Sequence, residues 1–147
     1  MKRNTMWNMI WPIALVVLSN TLYNICTKST PSEANAFLSL AVTYLSAAAG
    51  CMILFFLNKD HGSIGAELSQ LNWTSLALGA SVLALEYGYI MLYRAGWQVS
   101  NASIVANISL ACVLVFVGLL LYKENITLRQ IIGMGVCCVG LILITKK

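Results

Sequence analysis

Trp73-Thr74-Ser75-Leu76-Ala77-Leu78-Gly79-Ala80-Ser81-Val82-Leu83-Ala84-Leu85-Glu86-Tyr87-Gly88-Tyr89-Ile90-Met91-Leu92 is a run of 20 residues with a single charge in it. As an α-helix it reaches about 30 Å, the thickness of a bilayer's hydrocarbon core. A carboxylate at that depth costs a few kcal/mol, so Glu86 is expected to face protein or a water-filled cavity and to have a use there. Gly79, Leu83, Glu86, Tyr89 and Tyr93 recur at helical intervals and form one stripe, on which tyrosine hydroxyls can donate to the carboxylate.

The rest of the chain agrees with lipid as its solvent. Of its 147 residues 59% are hydrophobic and 10% charged, and the mean hydropathy is +0.80. A soluble domain carries roughly 25% charged residues, and a chain this short cannot hide so much apolar surface from water. The net charge of +4 does not point to nucleic acid, because the Lys and Arg residues are scattered between apolar runs and build no basic face.

Five spans are predicted, at residues 7–27, 34–57, 73–92, 99–122 and 128–144, in one transmembrane domain covering 1–147. The fold class is therefore an all-α integral membrane protein. The first run holds Asn20, Asn24 and Thr27 and has no clear small-residue cleavage site, so it reads as a span and not as a signal peptide. Trp7 and Trp11 suit an interfacial belt, and Pro12 falls in the first turns, where a missing N–H does little harm. Pro31 disfavours continuing the first helix, and Ser32 is a candidate cap for the second. Ile64, Leu68 and Leu71, at i, i+4 and i+7 in the longest polar connection, suit a short interfacial helix. Thr127 is a candidate cap for the last helix, where Gly133 and Gly140 share one face.

The candidate chemistry lies in polar residues at one depth. Asn20, Asn24 and Lys28 stack at i, i+4 and i+8 on the first span. They serve either as hydrogen-bonding glue between helices or as the lining of a cavity. Odd spans run away from the N-terminal side and even spans return. Asn20, Asn24 and Lys28, then Glu86 and Tyr89, then Asn101, Ser103 and Asn107 therefore all fall in the far half of the membrane. This pattern predicts a polar chamber opening to one face, in which Lys28 could pair with Glu86. Substrate and proton would compete for the Glu86 carboxylate.

Five spans put the two termini on opposite sides. Lys2, Arg3, Lys59, Lys123 and Arg129 lie on one side, and Lys28, Arg94, Lys146 and Lys147 on the other. With almost no Lys/Arg bias to orient it, the chain is expected to insert both ways and pair as an antiparallel homodimer, the alternative being that Lys2 and Arg3 alone fix the N-terminus inside. The five cysteines, Cys26, Cys51, Cys112, Cys137 and Cys138, lack zinc spacing and read as small packing residues. His61 lies in a loop, and no nucleophile–base set, metal cluster or phosphate loop is present in the sequence. No enzyme, metal or cofactor is therefore expected.

Leu120-Leu121-Tyr122-Lys123-Glu124-Asn125-Ile126-Thr127-Leu128-Arg129-Gln130-Ile131-Ile132-Gly133-Met134-Gly135-Val136-Cys137-Cys138-Val139-Gly140 resembles the terminal signature of the drug/metabolite transporter superfamily. Asn20-Thr21-Leu22-Tyr23-Asn24-Ile25-Cys26-Thr27-Lys28 resembles the end of its first helix. The resemblance implies one half of an inverted-repeat, EamA-like transporter. The related small multidrug resistance proteins have four spans and an essential acid in the first helix. Here that region reads Leu15-Val16-Val17-Leu18-Ser19-Asn20, without an acid, so their drug–proton site does not carry over. Glu124 matches a family position but lies at a helix end, where it suits a cap or loop contact.

These readings imply a secondary active exporter, possible proton coupling included, in the plasma membrane of a bacterium or archaeon. Its substrate would be a small polar or amphipathic metabolite or an organic amine. Glu86, Asn20, Asn24, Lys28, Tyr89, Asn101 and Asn107 are the expected binding and coupling residues. The alternatives from other classes are a small ion channel and a non-transporting subunit of a lipid-linked flippase complex.

Overall fold

Every regular element in the computed structural model is helical among the residues it describes, which are 2–58, 62–123, 125 and 127–145, with backbone alone at 2–9, 141, 144 and 145. The order is α1 (Lys2–Ser29), α2 (Ala36–Leu57), α3 (Ile64–Leu68), α4 (Trp73–Arg94), α5 (Val99–Leu121) and α6 (Leu128–Thr145). Four segments are long and apolar enough to cross a membrane: Ile10–Ser29, Ala36–Leu57, Trp73–Arg94 and Val99–Leu121. The fifth apolar helix, α6, is shorter, its apolar part running over Leu128–Gly140. Lys59, Asp60, His61, Glu124, Lys146 and Lys147, together with the side chains of Lys2, Arg3 and Trp7, lie outside the described residues.

Local chemistry explains the helix ends. α2 begins at Ala36, two residues later than its hydropathy suggests. Pro31 to Ala34 closes a turn, with the Ala34 N–H donating to the Pro31 carbonyl at 3.2 Å. The cap is therefore Asn35, whose side-chain oxygen accepts from the Leu38 N–H at 3.1 Å; Ser32, the cap the sequence points to, is too early. α3 is capped by Ser63. Thr127 caps α6 by reciprocal bonding. Its Oγ1 accepts from the Gln130 N–H at 3.4 Å, and Gln130 Oε1 accepts from the Thr127 N–H at 2.7 Å. Gly96 turns the chain between α4 and α5 with φ +93°, a conformation that suits a residue without Cβ. Pro12 is not in the first turns of its helix, because α1 starts at Lys2 and runs through it; it is near the start of the apolar segment only. Transmembrane helices tolerate such prolines.

The chain packs as two compact units. One is residues 29–94, in which α2 lies against α4. Ala36, Leu40 and Ile90 form its buried centre, with Tyr44, Tyr87 and Met91 packed around them. The Phe37 and Tyr87 rings stack at 4.9 Å. The Arg94 guanidinium, at the end of α4, donates to the carbonyls of Pro31 (3.4 Å) and Ala34, tying down the turn that precedes α2. The other unit is residues 1–28 and 95–147, where α5 packs against α6. Ala102 and Gly118 are its buried residues on α5, and Cys112 Sγ sits 3.6 Å from Cys138 Sγ. Side chains such as Leu76 (81% exposed) and Leu120 (79%) lie open on helices rich in Leu, Ile, Val and Phe. A soluble protein of this size could not present that surface to water.

Candidate functional site

The polar face of α1 is ordered by its own backbone. Asn24 is the buried polar residue of the described chain, only 4% exposed. Its side-chain NH2 donates to the Asn20 carbonyl at 2.8 Å and to Asn20 Oδ1 at 2.6 Å. A backbone carbonyl can only accept, so the atom of Asn24 facing it must be the nitrogen. The atom of Asn20 facing that nitrogen must then be its oxygen. Thr21 Oγ1 donates to the Val17 carbonyl at 2.8 Å, one turn earlier on the same helix.

On α5, Ser100, Ser103 and Asn107 follow at i, i+3 and i+7 and so share a face. The Asn107 NH2 donates to the Ser103 carbonyl at 2.8 Å and to Ser103 Oγ at 3.2 Å. Again the backbone carbonyl fixes which end of the carboxamide is which.

These two polar faces line one cavity of about 550 Å³. Asn20, Thr21, Asn24, Ser100, Ser103 and Asn107 supply its polar wall, and Val17, Ile25, Val99 and Ile104 its apolar one. Asn101 is half-buried and is not among the lining residues. Lys28, one turn beyond Asn24, donates from Nζ to the Trp97 carbonyl at 3.1 Å, at the turn that leads into α5.

Glu86 and Tyr89 belong to the other unit, both half-buried on α4. The Tyr89 and Tyr93 rings lie 6.1 Å apart. The Glu86 carboxylate is within electrostatic reach of Tyr44 on α2. The Tyr44 hydroxyl is buried and has no hydrogen-bond partner among the described residues. Sequence reasoning assigned no role to Tyr44. Its place in the middle of a span is visible in the sequence; its facing Glu86 depends on how α2 and α4 are rotated. Ser100 and Thr21 were legible as polar residues within spans, and the i, i+3, i+7 spacing of Ser100, Ser103 and Asn107 was the signal that groups the first with the cavity.

A second recess of about 320 Å³ lies in the 29–94 unit, lined by Met52, Phe55, Ile64, Glu67, Leu68 and Leu71. Glu67 is engaged there, its carboxylate accepting from the Gly62 N–H at 3.3 Å. Among the described residues no group of three or more His, Cys, Asp or Glu comes together as a metal site would require.

No curated protein and no solved structure matches the chain. A family model does, that of the EamA-like transporter family, over residues 7–146. With an all-helical fold, four membrane-length apolar helices and a polar cavity between α1 and α5, the match covers nearly the whole sequence: the chain belongs to the EamA-like transporter family.

Proposed function

We propose that this protein is a half-size secondary active transporter that exports a small polar or amphipathic metabolite by alternating access. The observation that carries the reading is the α1–α5 cavity, where three asparagines, two serines and a threonine gather inside helices that are otherwise apolar. Hydrogen-bonding groups in a membrane protein are costly unless they face one another or water. Five polar side chains bonded within their own helices and turned to one cavity leave room for a polar solute.

In this reading α6 is the fifth span. Its 18 residues reach about 27 Å, within the range of short transmembrane helices. The whole chain is one transmembrane domain, and two copies inserted in opposite senses form an antiparallel homodimer. Such a pair reproduces the inverted repeat on which alternating access rests in many transporters. The open space beside Gly133, Gly135 and Gly140, with nothing within 4 Å of where a Cβ would stand, is what a close helix–helix contact with a second copy would use. Asn20, Asn24 and Asn107 line the substrate path, with Lys28 one turn beyond Asn24, and Glu86 is the proton-coupling group. The membrane is the plasma membrane of a bacterium or archaeon.

Two measurements test this. Proteoliposomes are incubated with a soluble metabolite extract and their contents compared with protein-free vesicles by mass spectrometry. Saturable accumulation is expected, with a dependence on external pH that Glu86→Gln abolishes; an unchanged pH profile in Glu86→Gln removes the coupling role. C-terminal reporters that register the side of the membrane are expected to signal from both faces. A one-sided signal removes the antiparallel dimer.

A further inference from the structure

We infer that the α1–α5 cavity takes an uncharged solute bearing both hydrogen-bond donors and acceptors, such as a carboxamide or a polyol, and turns organic cations away. The inference rests on the reading of this cavity as the substrate path and narrows its substrate class.

The orientation of the carboxamides supplies the first part of the argument. The Asn20 oxygen is taken by the Asn24 NH2, so the group Asn20 has left to offer is its own NH2. The Asn107 NH2 is taken by Ser103, so the group Asn107 has left is its oxygen. The α1 wall thus presents the Asn20 NH2 as a donor, and the α5 wall presents the Asn107 oxygen as an acceptor beside the Ser103 hydroxyl, whose oxygen accepts from Asn107 and whose hydrogen can donate. A solute carrying one of each satisfies both.

Charge supplies the second part. None of the ten lining residues is ionisable. Among the described residues of this unit, 1–28 and 95–147, there is no Asp or Glu. Lys28, one turn beyond the lining residue Asn24, is positive and donates to the Trp97 carbonyl. A cation entering between Val17, Ile25, Val99 and Ile104 meets no counter-charge among the lining residues. An uncharged solute loses only hydrogen bonds that the walls replace.

The test reads the cavity directly with thiol reagents of one reactive group and three charges. In a protein whose five native cysteines are replaced by alanine, Asn107→Cys and, separately, Asn20→Cys are treated with hydroxyethyl, trimethylammonioethyl and sulfonatoethyl methanethiosulfonate. Rates are divided by those measured on a free thiol in water. The neutral reagent is expected to lead the cationic one by at least about tenfold, which corresponds to roughly 1.4 kcal/mol. Adding Asn107→Asp to the Asn20→Cys protein is expected to reverse that order, since the new carboxylate supplies the missing counter-charge; a path that is merely greasy would not respond. If the cationic reagent matches or leads the neutral one without that substitution, the substrate class is wrong and the transporter reading stands on its own flux assay. If the anionic reagent leads, the uncapped start of α5 and Lys28 dominate the site and the inference is again overturned. If none of the three modifies either position while the protein remains folded by circular dichroism, the cavity is not a solute path, and both this inference and the placing of the substrate there fall together.

Discussion

Replacing Asn24 by leucine separates the two roles open to the polar face of α1. As structural glue Asn24 would hold helices together; as cavity lining it would hold solute. Its NH2 makes two hydrogen bonds, at 2.8 and 2.6 Å, both to Asn20 within α1. Side-chain hydrogen bonds in membranes average about 0.6 kcal/mol and reach about 1.7, so losing two costs about 1–3 kcal/mol. Leucine returns about 0.5 kcal/mol in helix propensity, and it takes a polar group out of a site only 4% exposed. Asn20 Oδ1, which loses its donor, belongs to an exposed residue of the cavity wall and is not stranded in a core. The net expected loss for Asn24→Leu is therefore about 1 kcal/mol, measured by titrating the protein from mild detergent into dodecyl sulfate and following helicity. Flux per folded protein in the vesicle assay is expected to fall at least about tenfold, because a branched apolar side chain replaces part of the polar wall; tenfold corresponds to roughly 1.4 kcal/mol. A stability loss above about 3 kcal/mol together with unchanged flux refutes the reasoning and makes Asn24 a structural residue.

Three further perturbations act elsewhere in the molecule. Arg94→Met removes a charged donor from the Pro31 and Ala34 carbonyls and is expected to cost about 2 kcal/mol. Proteolysis between residues 30 and 35 should quicken with it, and an unchanged cleavage rate means the turn holds itself. Tyr44→Phe removes a buried hydroxyl that has no partner among the described residues and is expected to leave stability equal or raise it by about 1 kcal/mol; a clear loss would show that the hydroxyl bonds Glu86 in the working protein. Copper-phenanthroline is expected to join Cys112 to Cys138, whose sulfurs are 3.6 Å apart and need close only to about 2.05 Å. With Cys26, Cys51 and Cys137 replaced by alanine, titratable thiols should then fall from two to none, and thiols that persist mean that α5 and α6 do not meet at this point.

What the sequence made legible follows from where it carries a phase. Lipid imposes the length of a span, and α2, α4 and α5 begin and end within two residues of where composition alone places them; α6 is shorter than the membrane-length helices. The cap of α2 was missed because Pro31 spends three further residues on a turn before the helix starts, a matter of backbone geometry that hydropathy does not register. α1 begins at Lys2, ahead of the 7–27 span that hydropathy suggests, and its membrane-length apolar segment is Ile10–Ser29. Asn20 with Asn24 on α1, and Ser100 with Ser103 and Asn107 on α5, share a helix face by spacing and line the α1–α5 cavity. Asn101 shows the limit of that reading. It has the right residue type at the right depth, but it is one position along from Ser100, about 100° around the helix, and so it leaves the shared face.

Contacts between helices were the part that could not be read. A helix that is apolar all round gives no preferred side from which to infer its neighbour, and lipid provides no hydrophobic reason for one side to be buried before another. Tyr44 opposite Glu86 is of this kind, as is Cys112 beside Cys138. This bears on how the coupling reading should be judged. The polar wall of the α1–α5 cavity is assembled by residues whose orientation their own backbones dictate, so it would persist through small rotations of either helix. Glu86 lies half-buried in the 29–94 unit, within electrostatic reach of Tyr44, whose hydroxyl has no hydrogen-bond partner among the described residues. In the proposed alternating-access cycle the α1–α5 cavity would hold the solute and Glu86 would register which way the protein faces.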